Sequence, residues 1–279
     1  MKNLFDTVSF ESSKIVTNAY STSFSLAVRM LSKKIQDDIH AIYGFVRFAD
    51  EIVDSFHDYD KELLFNEFQR DLDMALERGI SLNPILNSFQ HVVKKYSIDY
   101  ELIEAFMKSM RFDLHKSVYS TTQEYEEYIY GSADVVGLMC LKVFVNGDNE
   151  LFEKLKGPAM KLGSAFQKVN FLRDYKQDSE ELSRVYFPHL NGDELGELNK
   201  AEIIAEIKKD FDEAYIGIKG LPNEAKFGVY TAFKYYSKLL NKIVKSDVEA
   251  IKSNRIRVSN PMKFVLLARS FFDYKMKCI

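Results

Sequence analysis

Over nearly its whole length this chain places apolar residues three and four apart, the spacing that lines one face of an α-helix. It carries few residues able to interrupt that pattern. Among 279 residues there are 12 glycines and 5 prolines, against average usages of about 7% and 5%. The periodicity predicts helices over 8–19, 22–31, 35–56, 60–78, 83–95, 99–114, 122–146, 149–178, 199–218, 223–253 and 260–275. Breakers fall between them: Gly79, Asn83-Pro84, Gly147-Asp148, Pro188 to Gly196, Gly220 to Pro222 and Asn260-Pro261. No alternating run is long enough to build a sheet. The fold class is therefore all-α. With no repeat, linker or low-complexity tract, residues 1–279 are expected to form a single domain.

Charge excludes one function class. The 38 basic and 41 acidic residues leave a formal net charge of −3, whereas a nucleic-acid binder shows a basic excess or stripe. The 22 Phe and 16 Tyr, with no Trp, furnish either a large core or the walls of an apolar cavity. Cys140 and Cys278 read as free thiols, expected in a reducing, cytoplasmic compartment. Met1 to Phe10 lacks the apolar stretch of a signal peptide. No uninterrupted run of about 18 apolar residues is present, so no membrane-spanning helix is predicted. Peripheral contact with the inner face of a membrane stays open.

Two polar ladders on apolar helices carry the chemistry. In Ala41 to Phe56, the residues Tyr43, Arg47, Asp50 and Asp54 follow i, i+4, i+7, i+11 and stack on one helical face. Two carboxylates one turn apart can hold a divalent cation, and hard oxygen ligands suit magnesium. An ordinary solvated face is the alternative. Against it, Ile42, Phe45, Val46, Phe48, Ala49, Ile52 and Val53 make the helix apolar nearly all round, and buried carboxylates are costly unless neutralised. In Leu162 to Asp178, the residues Gln167, Asn170, Asp174 and Asp178 repeat the arrangement. Asn170 can offer a neutral carbonyl ligand or an interhelical hydrogen bond. Face to face, the two ladders would cage magnesium ions and a diphosphate.

These motifs resemble those of the squalene/phytoene synthase family, and the resemblance runs in order along most of the chain. Ser21 to Phe24 with Leu26 to Leu31 is similar to its serine-rich N-terminal segment, and Tyr43 to Asp54 to its first aspartate-rich motif. Met110 to Leu114 is similar to a short motif on a middle helix, and Tyr128 to Gly137 to the helix lining the cavity. Leu162 to Pro188, ending in Arg184, Tyr186 and Pro188, resembles the second aspartate-rich motif, and Asn254 to Lys263 the basic C-terminal element. Two positions depart: the first motif opens Asp50-Glu51, where many members have Asp-Asp, and Asp134 replaces the usual glycine.

The resemblance implies a helical isoprenoid-synthase bundle around a central apolar cavity. It implies a prenyltransferase that condenses two geranylgeranyl diphosphates to phytoene in carotenoid biosynthesis. The alternatives are a dehydrosqualene or squalene synthase using farnesyl diphosphate, or a non-catalytic scaffold protein. It implies magnesium, with manganese as a substitute, held by Asp50, Asp54, Asn170, Asp174 and Asp178. No nicotinamide cofactor is expected. Arg47, Gln167 and Arg173 would contact diphosphate, a task suited to the guanidinium fork, unless Arg47 is a structural partner of Asp50 or Asp54. Tyr20, Ser21 and Ser23 would meet it too, unless the serines are simple helix caps. Arg255, Arg257 and Lys263 would close over the diphosphates or form a basic surface tail. Tyr43, Tyr128 and Tyr130 would line the pocket or pack in the core. Downstream carotenoid enzymes are the implied partners. The five histidines (His40, His57, His91, His115, His189) show no ligand spacing and are expected to be structural or exposed.

Overall fold

Local chemistry ends the helices where the breakers fall. In the computed structural model, which describes residues 1–116, 118–180, 184, 186–190, 195–276 and 279 without the side chains of Glu180 and His189, the first half of the chain holds eight α-helices. They are α1 (Lys2–Tyr20), α2 (Thr22–Val28), α3 (Lys33–Ser55), α4 (Lys61–Arg78), α5 (Pro84–Tyr96), α6 (Tyr100–Asp113), α7 (Thr122–Ile129) and α8 (Val135–Val145). After them come α9 (Asn149–Glu180), α10 (Glu197–Gly220), α11 (Asn223–Lys245), α12 (Val248–Ser253) and α13 (Asn260–Lys275). The described residues contain no strand, as the all-α reading expects. Asp60 caps α4 by accepting from the Leu63 N–H, and Gly79 ends it in the left-handed conformation at φ 68°. Asn83 caps α5, with Pro84 at its first position. The expectations for Cys278 and the His189 side chain lie outside the described residues and side chains.

Besides an α2 that stops at Val28, three departures from the periodicity stand out. Helix α1 starts at Lys2, because Asp6 in its first turns is tied down by Lys2 (2.8 Å), Asn87 (3.2 Å) and His91 (3.1 Å). The predicted helix 223–253 breaks at Ser246-Asp247, where Asp247 accepts from the Ala250 N–H at 2.7 Å and caps a new helix. The predicted helix 122–146 contains a π-helical turn, Tyr130–Asp134, a feature common at functional sites. By length and composition Thr122–Val145 could cross a membrane, but 61% of its most apolar window is buried inside the protein. It is a core helix.

Two apolar clusters form the interior. One gathers α3, α4, α5, α6 and α8 around Phe45, which stacks on Phe89 at 4.0 Å and meets Phe106 edge-on at 5.3 Å. The other is an aromatic cluster of Tyr119, Tyr128, Phe171 and Tyr186, joined by apolar side chains of α10 to α12. Helix α9 runs through both, giving Phe152 and Leu155 to the first and Ala165, Val169 and Leu172 to the second.

His40 lies within α3 at 4% exposure, its Nδ1 buried without a partner. Burial first, then the charges of Lys14 and Arg29, pull it down to about 4. A base with a depressed folded value stabilises above its unfolded value of about 6.5 and loses that contribution as pH falls toward 4. His40→Leu is therefore expected to remove about 3 kcal/mol of acid lability between those limits. Denaturant titrations of both proteins at pH 7 and 4.5 check this, and identical pH slopes would refute it.

Candidate active site

On α3 and α9 one helical stripe changes character along its length. The N-terminal part of the α3 stripe, Ile39, Ile42, Tyr43 and Val46, lines an apolar cavity of about 300 Å³. Its continuation carries Arg47, Asp50 and Asp54. On α9 the same cavity is lined by Ala159, Leu162, Gly163, Phe166, Gln167 and Asn170, and the stripe continues into Asp174 and Asp178. Both acidic ends lie near helix C-termini, where the partial negative charge of the backbone adds to that of the carboxylates and favours a cation.

The two acidic rungs converge. Asp178 is pushed up to about 7 by burial and by Asp174, and it also feels Asp54 across the gap. Asp50 is pushed up to about 7 by burial and then by Asp54, with Asp113 adding to it. Four arginines hold the cluster together. Arg47 pairs with Asp50 and Glu51. Arg184 donates to Asp54 at 2.8 Å and to the Asp113 carbonyl at 3.1 Å. Arg173 pairs with Asp174, which also accepts from Arg255 Nε at 2.8 Å. Among the described residues no three carboxylates already stand at ligand spacing, so a cation would have to draw them away from these arginines.

The remaining predicted residues divide into three groups. Near the crevice, Tyr20 lies under the Arg47 guanidinium at 4.4 Å. Tyr43 stacks on Phe24 at 4.8 Å, and burial pushes its phenol up to about 12. Gln167 donates to Ser132 at 3.4 Å, and Asn170 accepts from Tyr236 on α11 at 3.2 Å, the interhelical bond weighed from the sequence. Burial first, then the charge of Arg257 among others, lowers the proton affinity of Arg255 and of Lys263, and Lys263 also donates to Thr22 at 2.9 Å. Ser21 caps α2 by accepting from the Phe24 N–H, and Ser23 is half-buried on that helix.

Tyr128 and Tyr130 do not line the apolar cavity, and of the two readings open to it Tyr128 takes core packing. Tyr128 points into the aromatic cluster and donates to Asp113 at 2.7 Å. Tyr130, at 38% exposure, faces outward. The π-turn rotates this segment so that Ser132, Ala133, Val136 and Gly137 line the cavity instead. Asp134 turns away from the cavity, accepts from Ser164 at 2.8 Å, and is pushed up to about 7 by burial against the opposing pull of Ser164 and Lys168.

Sequence reasoning assigned no role to Asp113, Arg184 or Tyr236. Asp113 accepts from both Tyr119 (3.0 Å) and Tyr128 (2.7 Å) and is pushed up to about 6 by burial, with Asp54 adding and Arg184 opposing. Arg184 is 7% exposed, and the carboxylates around it raise its affinity for its proton despite burial. Both residues sit in quoted motifs, so the signal was a charge inside a segment otherwise fit for the core. Tyr236 stacks on Phe166 at 3.9 Å and closes the cavity beside Asn170; its helix gave no such signal.

Comparison with known proteins gives the family and the fold. Residues 17–196 match the family model for squalene/phytoene synthase. The chain is 27% identical to chloroplastic phytoene synthase 1 of Solanum lycopersicum over 269 residues, covering 89% of this chain but only 64% of that protein. It is 26% identical to 15-cis-phytoene synthase of Enterobacter agglomerans, covering 88% of this chain and 90% of that protein. A crystal structure of a dehydrosqualene synthase in complex with ligand superposes with a TM-score of 0.82 at 21% identity, covering 97% of this chain and 98% of the other.

Proposed function

The chain belongs to the squalene/phytoene synthase family, and on that premise we propose that it joins two geranylgeranyl diphosphates head to head to give phytoene. The observation that carries this reading is the shared stripe on α3 and α9, apolar along the cavity and acidic beyond it. That polarity suits an amphiphile with a long hydrocarbon chain and a polyanionic head. The curated relatives named phytoene synthase support geranylgeranyl as the substrate.

The donor set fits magnesium. Asp50, Asp54, Asn170, Asp174 and Asp178 present hard oxygen atoms in one crevice, and burial has pushed two of these carboxyls up to about 7, as expected of anions awaiting a counter-ion. Magnesium bound there would neutralise the diphosphate and the charge that grows on it as it leaves. Arg47 and Arg173 would contact the same head group. The Arg47 Nε is buried without a partner, a donor available to an anion.

In the reaction, the allylic C–O bond breaks and the diphosphate departs with the electron pair. The second substrate's double bond attacks the allylic cation, and loss of a proton closes a cyclopropane. That cyclopropylcarbinyl diphosphate ionises in turn, rearranges and loses a second proton to form the central double bond. Gln167 and Asn170 stand at the boundary between the polar crevice and the apolar cavity, where the reacting carbons would lie. The apolar walls exclude water from the cations, and the faces of Tyr43 and Tyr236 can stabilise them. We place the protein in the cytoplasm, passing its product to downstream carotenoid enzymes.

The ligand-bound dehydrosqualene synthase of similar fold favours a second reading, with farnesyl diphosphate as substrate. Product mass after offering each diphosphate separately, with magnesium and then with excess chelator, decides between them. A forty-carbon hydrocarbon formed only with magnesium is expected. A thirty-carbon product alone would favour the second reading, and diphosphate release from neither substrate would indicate a scaffold.

A further inference from the structure

Helix α13 turns a large apolar face outward. Five exposed positions along it are Phe264, Val265, Ala268, Phe271 and Phe272, and Met276 is exposed at its C-cap. Four of these recur every fourth residue, so they form one ridge. Phe264 and Phe272 are 67% and 64% exposed, a substantial patch for a protein in water. The other exposed positions between residues 264 and 276 are Arg269 and Lys275, and none is acidic. The helix's one acid, Asp273, points inward to Tyr230 (2.8 Å) and Lys234 (3.5 Å). Helix α10, by contrast, exposes Glu202, Lys208, Lys209, Asp212 and Lys219.

The location is as informative as the composition. The inner side of α13 rests on α11, with Phe227 between Phe271 and Tyr274. Its first turn reaches α2 through Lys263 and Thr22. Helices α2 and α11 both wall the cavity, through Phe24, Ala27 and Val28 on one and Gly228, Val229 and Ala232 on the other. The exposed apolar ridge therefore borders the two helices that enclose the hydrocarbon space.

We propose that α13 lies on the surface of a bilayer bearing anionic headgroups, with Phe264 and Phe272 in the acyl boundary and Arg269 and Lys275 at headgroup depth. A basic amphipathic helix with aromatic side chains on its apolar face binds interfaces in this way. A second copy of the chain is the competing occupant, but a symmetric pairing through this face would bring its own cations together without an acid to receive them.

Co-sedimentation of the full chain with vesicles tests the proposal independently of catalysis. Binding is expected to vesicles of equal parts phosphatidylglycerol and phosphatidylcholine, and to be weaker with phosphatidylcholine alone. The double variant Phe264→Glu/Phe272→Glu should partition at least about tenfold less. Leu198→Glu, at a position 84% exposed on α10, should bind as the wild type does. Amide exchange of the wild type should slow across residues 264–276 when mixed vesicles are added, a readout that holds even if the double variant misfolds. The proposal is overturned if the wild type ignores the mixed vesicles, if the double variant binds undiminished, or if those amides are unprotected by vesicles. A dimer in light scattering that the double variant abolishes would assign the face to a second copy instead.

Discussion

Asp174→Ala is expected to lower magnesium-dependent diphosphate release by about a hundredfold to a thousandfold, the usual cost of deleting one group that stabilises charge in the transition state. Asp174 receives Arg173 from its own helix and Arg255 from the C-terminal basic segment. Its loss would remove a proposed ligand and also release the arginine that draws that segment over the crevice. Asp50→Ala should be as damaging to turnover but differ in stability. Asp50 is opposed by Asp54 one turn away, and Arg47 keeps Glu51 as a partner when Asp50 is gone. Relief of that repulsion should leave the metal-free Asp50→Ala protein at least as heat-stable as the wild type, whereas Asp174→Ala strands a largely buried guanidinium and should melt lower. Pre-steady-state diphosphate release and thermal melts of the two variants give both readouts. Near wild-type turnover in either variant at saturating magnesium would remove the carboxylate crevice from the mechanism.

Gly131→Ala is expected to destabilise the protein by about 3 kcal/mol, with a melting temperature lower by roughly 5–10 °C. In an ordinary helix this exchange would be mildly favourable. Here a Cβ at residue 131 would stand 1.9 Å from Ser109 Oγ and 2.7 Å from the Ala105 carbonyl oxygen of α6. The π-turn would have to back away from α6. It cannot move freely toward α9, because Gly163 already meets the Ala133 carbonyl so closely that a Cβ there would stand 2.8 Å away. Adding Ser109→Gly to Gly131→Ala should restore less than half of the loss, since the backbone oxygen remains. Ser132 and Ala133 belong to the cavity wall, so the single variant should also lose activity below its melting temperature. Wild-type stability in the single variant would show that α6 and the π-turn are not in close contact.

Most of the secondary structure was legible because a helix writes its buried face into the sequence at a fixed period. The break at Ser246-Asp247 rests on a local cap, Asp247 with the Ala250 N–H, whereas the start of α1 depended on partners distant in the chain. Helix α1 extends to Lys2 because Asn87 and His91 on α5 grip Asp6, and no local pattern announces that. The π-turn is invisible to a periodicity of 3.6. Tyr128 and Tyr130, which the resemblance put on the pocket wall or in the core, lie off the cavity wall, and Ser132 and Ala133 of the π-turn stand there. Arg184 shows the same limit, since its ion pair reaches across 130 residues to Asp54.

By itself the sequence determined the helical class, the two acidic ladders and their stacking, because i, i+4 and i, i+7 neighbours share a helix face whatever surrounds them. Only the tertiary structure decided that both ladders face one crevice, that their apolar continuations enclose one cavity, and that Asp113 and Arg184 join them. Those relations depend on how separate helices cross and on which charges burial forces together. They come from packing and desolvation between distant segments, and a one-dimensional pattern does not record them.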